Sequence, residues 1–461
     1  MTSTPVRFST GEIAQWKRDS LDYYWQHTAP YSAVADAGGP EIIVEASGTR
    51  VTNIEGRSFL DLYAGLELVN IGYGRPEMAE VAAEQITRLH YAGFQSTNLP
   101  GIALAKRLAE ITPGDLQHVF FTTNGSDAVE TAVKMARQAQ IQNGTPWRSK
   151  VISRRNAYHG STPGATSLEG PHAPITGSKH NELYAVPGAR QVPELECYRC
   201  PYRLTYPDCD LLCADAIEQQ IRYEDPETVA AVIVDPVAIV PRCIVPPDDY
   251  LPRVREICDR YGVLLIFDEV VNGFGRTGRW FAAMHWDVVP DILCLSKGLS
   301  SGYAPIAATV ARPHVFDRFK GSAERAFHHG HTWGGHPVAT AMALRNIEII
   351  EREGLVEHAA DVGAHFLEGL KSLEHYPIVG KVQGIGLLLG IDLVRDKTTR
   401  EPLRRQDPVM QSLQQRVRDR GLLCPFSFIT PPLIITRAEV DEAIEILDRS
   451  IGEVVEEFAL A

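Results

Sequence analysis

Val263-Leu-Leu-Ile-Phe-Asp268-Glu-Val270 and Ile292-Leu-Cys-Leu-Ser-Lys297-Gly298 are the segments that decide the fold. Each is an apolar run that ends abruptly near a charged side chain. A strand buried on both faces of a parallel sheet reads this way when it delivers a functional group to the sheet edge. Asp268 and Lys297, 29 positions apart, therefore stand at the ends of two strands, where ligands bind in open α/β sheets. An acid and an amine at one edge suit a cofactor that needs a carboxylate at one end and an amine at the other.

Outward from this pair the chain alternates strand, loop and helix. Val119-Phe-Phe-Thr122 reads as a strand, Thr123-Asn-Gly-Ser126 as a loop and 128–140 as a helix. Val151-Ile-Ser153 and Val229–Val234 are further strands. A helix over 250–261 then ends at Gly262, a residue suited to a left-handed C-terminal cap. The alternation predicts an α/β fold with a mostly parallel sheet sandwiched between helices. Upstream, 42–62 reads as a small antiparallel unit. Downstream, helices over 337–353 and 358–373, a glycine-punctuated strand pair over 382–394 and a helix over 439–458 read as a smaller α+β region. The expected division is 71–330 for the large domain, with 1–70 and 331–461 contributing to the small one.

Composition narrows the function. With 461 residues the chain can bury a large and a smaller core. A net charge of −13 argues against a nucleic-acid binder. No apolar run approaches the length of a membrane span, and the opening Met1-Thr-Ser-Thr-Pro-Val-Arg7 lacks the apolar core of a signal peptide. A cytoplasmic protein is expected.

Three motifs carry chemistry. Gly125-Ser126, opening a helix, offers backbone amides and a positive dipole end to an anion, although Ser126 or Asp127 capping the helix explains the same residues. Gly273-Phe-Gly-Arg-Thr-Gly278 matches a dinucleotide fingerprint. It lies several residues past its strand, however, and Lys297 stands where the ribose-binding acid belongs. Lys297 itself, fed by an apolar strand, suits covalent attachment to a carbonyl cofactor, and Asp268 suits pairing with a pyridine nitrogen. Together with an anion cup at Gly125-Ser126, these parts match pyridoxal 5′-phosphate.

Longer stretches turn the match into a family resemblance. They include Asn124-Gly-Ser-Asp-Ala-Val-Glu-Thr-Ala-Val-Lys134, Tyr158-His-Gly160, Leu265–Gly278, Leu295–Pro305, Thr332-Trp-Gly-Gly-His-Pro337 and Pro431-Pro-Leu433. Over nearly its whole length the chain resembles a class III, omega-type aminotransferase of pyridoxal-phosphate fold type I. The resemblance implies transfer of an amino group between an amine or amino acid and a keto acid or aldehyde. Other pyridoxal-phosphate reactions remain the alternative: decarboxylating transamination, an aminomutase or a racemase. By position it makes Lys297 the lysine that carries the cofactor and shuttles a proton, and Asp268 the partner of the ring nitrogen. Tyr158 and Val270 would flank the ring, with His159 beside it in the same motif. Gly125 and Ser126 would hold the phosphate, and Thr332 would reach it from a neighbouring subunit. A homodimer, or a tetramer containing it, is thus implied.

The departures concern substrate. Val271 stands where a Gln often follows the Asp-Glu-Val triplet, and Ser161 replaces an Arg after Tyr158-His-Gly160. Between Gly421 and Pro431 no Arg occurs. The usual carboxylate grips are missing, which suggests an apolar or amine-bearing substrate, with Leu66, Leu68, Phe426 and Phe428 lining its pocket. Arg242 is either a replacement grip or a surface arginine. Cys197, Cys200, Cys209 and Cys213 leave three states open: a Cys₄ zinc site, local disulfides, or free thiols.

Overall fold

The computed structural model describes residues 7–93, 96–170 and 181–460; residues 1–6 of the opening segment lie outside them. Three strands, β1 (Ile43–Ser47), β2 (Arg50–Asn53) and β3 (Ser58–Asp61), form the antiparallel unit expected near the start. The central sheet holds β4 (His118–Thr122), β5 (Lys150–Arg154), β6 (Ala189–Val192), β7 (Val229–Val234), β8 (Leu264–Asp268), β9 (Ile292–Leu295) and β10 (Ala307–Ala311). Their order is β4-β10-β9-β8-β7-β5-β6. Only β10 runs against its neighbours, antiparallel to β4 and β9. A third sheet joins β11 (Val379–Ile385), β12 (Leu388–Asp396) and β13 (Glu401–Pro402). Finally β14 (Leu422–Leu423) pairs in parallel with β3, Leu422 opposite Leu60, so the two ends of the chain share one sheet.

Both faces of the central sheet are covered. Ala231 and Ile233 of β7, with Ile266 of β8, join the core of the helix Gly125–Gln142, which buries Ala128, Val129 and Ala132. The alternate residues Val232, Val234, Leu265 and Phe267 join the opposite core, with Val254 and Ile257 of the helix Tyr250–Tyr261. Side chains alternate across a strand, so burial on both faces is what makes these strands continuously apolar.

Two strands of the central sheet, β6 and β10, are not anticipated by the sequence. Ala189-Arg-Gln-Val192 lies at the sheet edge, half exposed, and carries polar side chains accordingly. Ala307-Ala-Thr-Val-Ala311 is fully buried but alanine-rich, so it lacks the bulky β-branched run that announces a strand. The N-terminal helix Thr10–Tyr23 was also unread, although Ser9 and Glu12 form a capping box at its start. Among the described residues no helix is long and apolar enough to cross a membrane.

Candidate active site

β8 and β9 are parallel neighbours, with Asp268 opposite Cys294 in register. Asp268 and the Ser296-Lys297 turn therefore emerge on the same sheet edge. The helix Gly125–Gln142 begins at that edge too, because it follows β4, which runs in the same direction as β9. Its amides at Gly125 and Ser126 bond nothing among the described residues, as first-turn amides do when they await an outside acceptor.

Close packing fuses these parts into one site. A Cβ on Gly125 would sit 2.9 Å from Val270 Cγ1, so only glycine lets the helix start abut the residue beyond Asp268. A Cβ on Gly160 would lie 2.4 Å from Ser126 Oγ, which accepts a bond from the Ser161 amide at 3.0 Å. Tyr158 reaches the same loop through its hydroxyl, 3.0 Å from Ser161 Oγ. Glu130, also on the helix, accepts from Thr162 Oγ1 at 2.8 Å and the Gly164 amide at 2.9 Å, anchoring the following turn.

Asp268 is buried, and its Oδ2 lies 2.8 Å from His159 Nδ1 while Oδ1 accepts from the Val270 amide at 3.1 Å. His159 is buried, with its Nε2 unpartnered among the described residues. Burial alone would lower the ring's proton affinity. The hydrogen bond and charge of Asp268, helped by Asp235 and Glu169, outweigh it and hold His159 above its ordinary value. Asp235, at the end of β7, is itself paired with the buried Arg154. The next acid, Glu269, is fully buried and accepts from the amides of Ala282 and Ala283 at 2.6 and 2.8 Å. Burial pushes it up to about 7, and its two amide bonds make it a support for the turn.

Lys297 adopts φ +43°, a left-handed conformation rare outside glycine and concentrated at functional sites. Asn346 Nδ2 holds this turn by donating to the carbonyls of Gly298 and Leu299 at 2.8 and 3.0 Å. The Lys297 amine bonds the carboxylate of Glu67, a residue absent from the sequence reading. Only its place as the acid in Gly65-Leu-Glu-Leu-Val69 could have marked it.

Not every expected residue joins the site. Arg242 is no free grip: its guanidinium is tied to Glu196 and lies 3.1 Å from Asp392, both buried. It links the β7–β8 connection to β12. Phe426 is 1% exposed and belongs to the main core, so it cannot line a substrate pocket. Phe428 is half-buried with its ring 5.6 Å from that of Tyr63. Leu66 is exposed, whereas Leu68 and Val271 are half-buried. Thr332 is exposed, and its carbonyl accepts from Tyr91 Oη at 3.0 Å. The four clustered cysteines line one small cavity as free thiols, and no group of three or more His, Cys, Asp or Glu among the described residues is placed to hold a metal.

A carboxylate–imidazole pair and a lysine stand at adjacent strand ends, on the sheet edge where a bare helix N-terminus also begins. Comparison with known proteins agrees. Residues 31–451 match the model of the class-III aminotransferases, and the chain belongs to that family. It is 40% identical over 439 residues to the probable aminotransferase Rv3329 of Mycobacterium tuberculosis, covering 93% of this chain and 92% of that one. A thermostable (S)-enantioselective omega-transaminase from Thermomicrobium roseum superposes with a TM-score of 0.91 at 37% identity, covering 98% of this chain and 100% of that one. An amine transaminase from an uncultivated Pseudomonas species, solved in its pyridoxal-phosphate-bound form, superposes at 0.88 with 37% identity, covering 94% and 99%. The protein is thus a transaminase of pyridoxal-phosphate fold type I. The residues present fit that cofactor. Asp268 is buried and anchored, the Gly125-Ser126 amides are unclaimed, and the close approaches at Gly125 and Gly160 shape a cradle between them.

Proposed function

We propose that Lys297 holds pyridoxal phosphate through its amine and, once a donor amine displaces it, carries the proton at the donor's reacting carbon. When bound, the cofactor supplies an electron sink that lets that carbon lose its proton. Asp268 keeps a carboxylate against the ring nitrogen, and His159 fixes the orientation and charge of Asp268. Val270 and Tyr158 enclose the two ring faces. The amides of Gly125 and Ser126 take the phosphate, with Thr332 contributed by a second copy of the chain. What carries this reading is the buried His159–Asp268 pair one strand away from Lys297.

The acting unit is a homodimer, a reading supported by exposed Trp25, Tyr23 and Trp333, which are large apolar surfaces seeking cover. The small domain takes 1–70 and 331–461, supported by the β3–β14 pairing, and the large domain takes 71–330. Eight unpaired thiols suit a reducing, cytoplasmic setting. The donor is an amine or amino acid and the acceptor a keto acid or aldehyde, bound beside Leu66, Leu68, Tyr63 and Phe428. Lys297→Ala should abolish both turnover and the visible absorbance of the lysine-linked cofactor. Retention of that absorbance would overturn the assignment.

A further inference from the structure

The contact between Glu67 and Lys297 raises a question of charge. Glu67 is buried, with only 7% of its side chain exposed, and its one ion pair among the described residues is with Lys297. A carboxylate held away from water is stabilised only while a cation or donors face it. If Lys297 commits its nitrogen to the cofactor, that partner changes. Arg276 feels the same charge, but its two terminal nitrogens are engaged by the carbonyls of Leu387 and Pro431 and by Asn70 Oδ1, which leaves only Nε without a partner among the described residues.

The backbone holds Glu67 in place at a cost. Glu67 adopts φ +60° and Ala64 φ +45°, both in the left-handed region that non-glycine residues avoid. Asp61 clamps the loop by accepting from the Tyr63 and Gly65 amides at 2.8 Å each, and from Tyr73 Oη at 2.7 Å. An aromatic ring, Tyr63, stands beside the carboxylate. Burial, then the Glu67 charge, raises the Tyr63 phenol, with Arg405 opposing the shift, so the Tyr63 ring lies near the acid. The Phe428 ring packs 5.6 Å from Tyr63. An acid beside aromatic rings is a setting for an organic cation.

We propose that Glu67 selects the amino donor, binding the second cationic nitrogen of a short diamine and disfavouring donors that carry a carboxylate near the reacting carbon. The carboxylate bonds the very nitrogen that the donor's amine replaces. Two nitrogens sharing one carboxylate lie within about 5–6 Å of each other, the reach of three or four methylenes. Like charge opposes an amino acid's carboxylate at the same place. Arg242, the arginine that the sequence offered as a carboxylate grip, is locked elsewhere. The inference rests on the proposed role of Lys297.

The test compares 1,4-diaminobutane, pentylamine and 4-aminobutanoate as donors to the holoenzyme, reading kcat/KM from loss of the cofactor's visible band. In wild type the diamine should be favoured over pentylamine, and 4-aminobutanoate should be the poorest. Glu67→Gln should lower the diamine-to-pentylamine ratio by about tenfold to a hundredfold, the loss expected for a hydrogen bond to a charged group. Glu67→Asp, which keeps the charge, should restore part of it. A ratio that Glu67→Gln leaves unchanged overturns the proposal, because a residue that merely positions Lys297 would slow all donors alike. A second readout needs no turnover: calorimetric binding of butyltrimethylammonium, which cannot react, should weaken in Glu67→Gln, and unaltered binding is equally fatal. The wild-type band and pentylamine turnover test Lys297 separately from Glu67.

Discussion

The role proposed for Asp268 needs its carboxylate held in place, and His159 bonds it at 2.8 Å. The imidazole is held above its ordinary proton affinity because Asp268, Asp235 and Glu169 together outweigh its burial. Raised affinity in the fold means that the folded state binds the proton more tightly than the unfolded chain does. The contribution to stability is therefore complete below the unfolded value of about 6.5 and is lost as pH rises through the folded value. In cofactor-free protein, denaturant unfolding of wild type and His159→Gln should differ by a constant amount below about pH 6.5, and the gap should shrink as pH rises above it. A gap that widens with pH would mean that burial, not Asp268, governs the ring. The same residue scale explains what escaped the sequence reading. Leu66 and Leu68 were visible as pocket candidates, but Glu67 between them was not, because only the left-handed turn aims its carboxylate at Lys297.

At the level of elements, the two strands ending at Asp268 and near Lys297 were legible because burial on both faces leaves an uninterrupted apolar run. The edge strand β6 and the alanine-rich β10 were not, since neither carries that signature. Arg242 and Phe426 were misread for a related reason: a lone arginine or phenylalanine in a loop says nothing about which distant element meets it. Here Asp392 on β12 meets the first, and the main core the second. How the helix Gly125–Gln142 meets the loop after β5 was also invisible, and it gives a sharp prediction. Gly160 has φ +130°, and an added Cβ would sit 2.4 Å from Ser126 Oγ and 2.9 Å from its Cα. Gly160→Ala should cost about 1–3 kcal/mol through overpacking and backbone strain. It should also push Ser126 away from the anion position. Thermal unfolding of the apo form reports the first effect, and cofactor remaining after dialysis reports the second. Unchanged values for both would mean that the cradle is looser than its packing implies.

For the whole molecule, the central matter is whether one chain contains a complete site. Gly125, Ser126, Tyr158, His159, Asp268, Val270 and Lys297 converge within a single chain, whereas Thr332 is exposed and, among the described residues, only its carbonyl is engaged, by Tyr91. If Thr332 serves the phosphate of a second copy, each site of a two-fold dimer combines Lys297 of one chain with Thr332 of the other. Complementation separates this arrangement from a site completed within one chain. Lys297→Ala and Thr332→Asp chains should each be inactive alone, the first for want of the amine and the second through repulsion of the phosphate. Mixed and allowed to exchange, half of the dimers become hybrids. In each hybrid, one site pairs an intact Lys297 with the intact Thr332 of the other chain, so activity should return to about a quarter of wild type. Were Thr332 to act on its own chain's site, no hybrid would contain an intact site. The mixture would then stay inactive at every ratio.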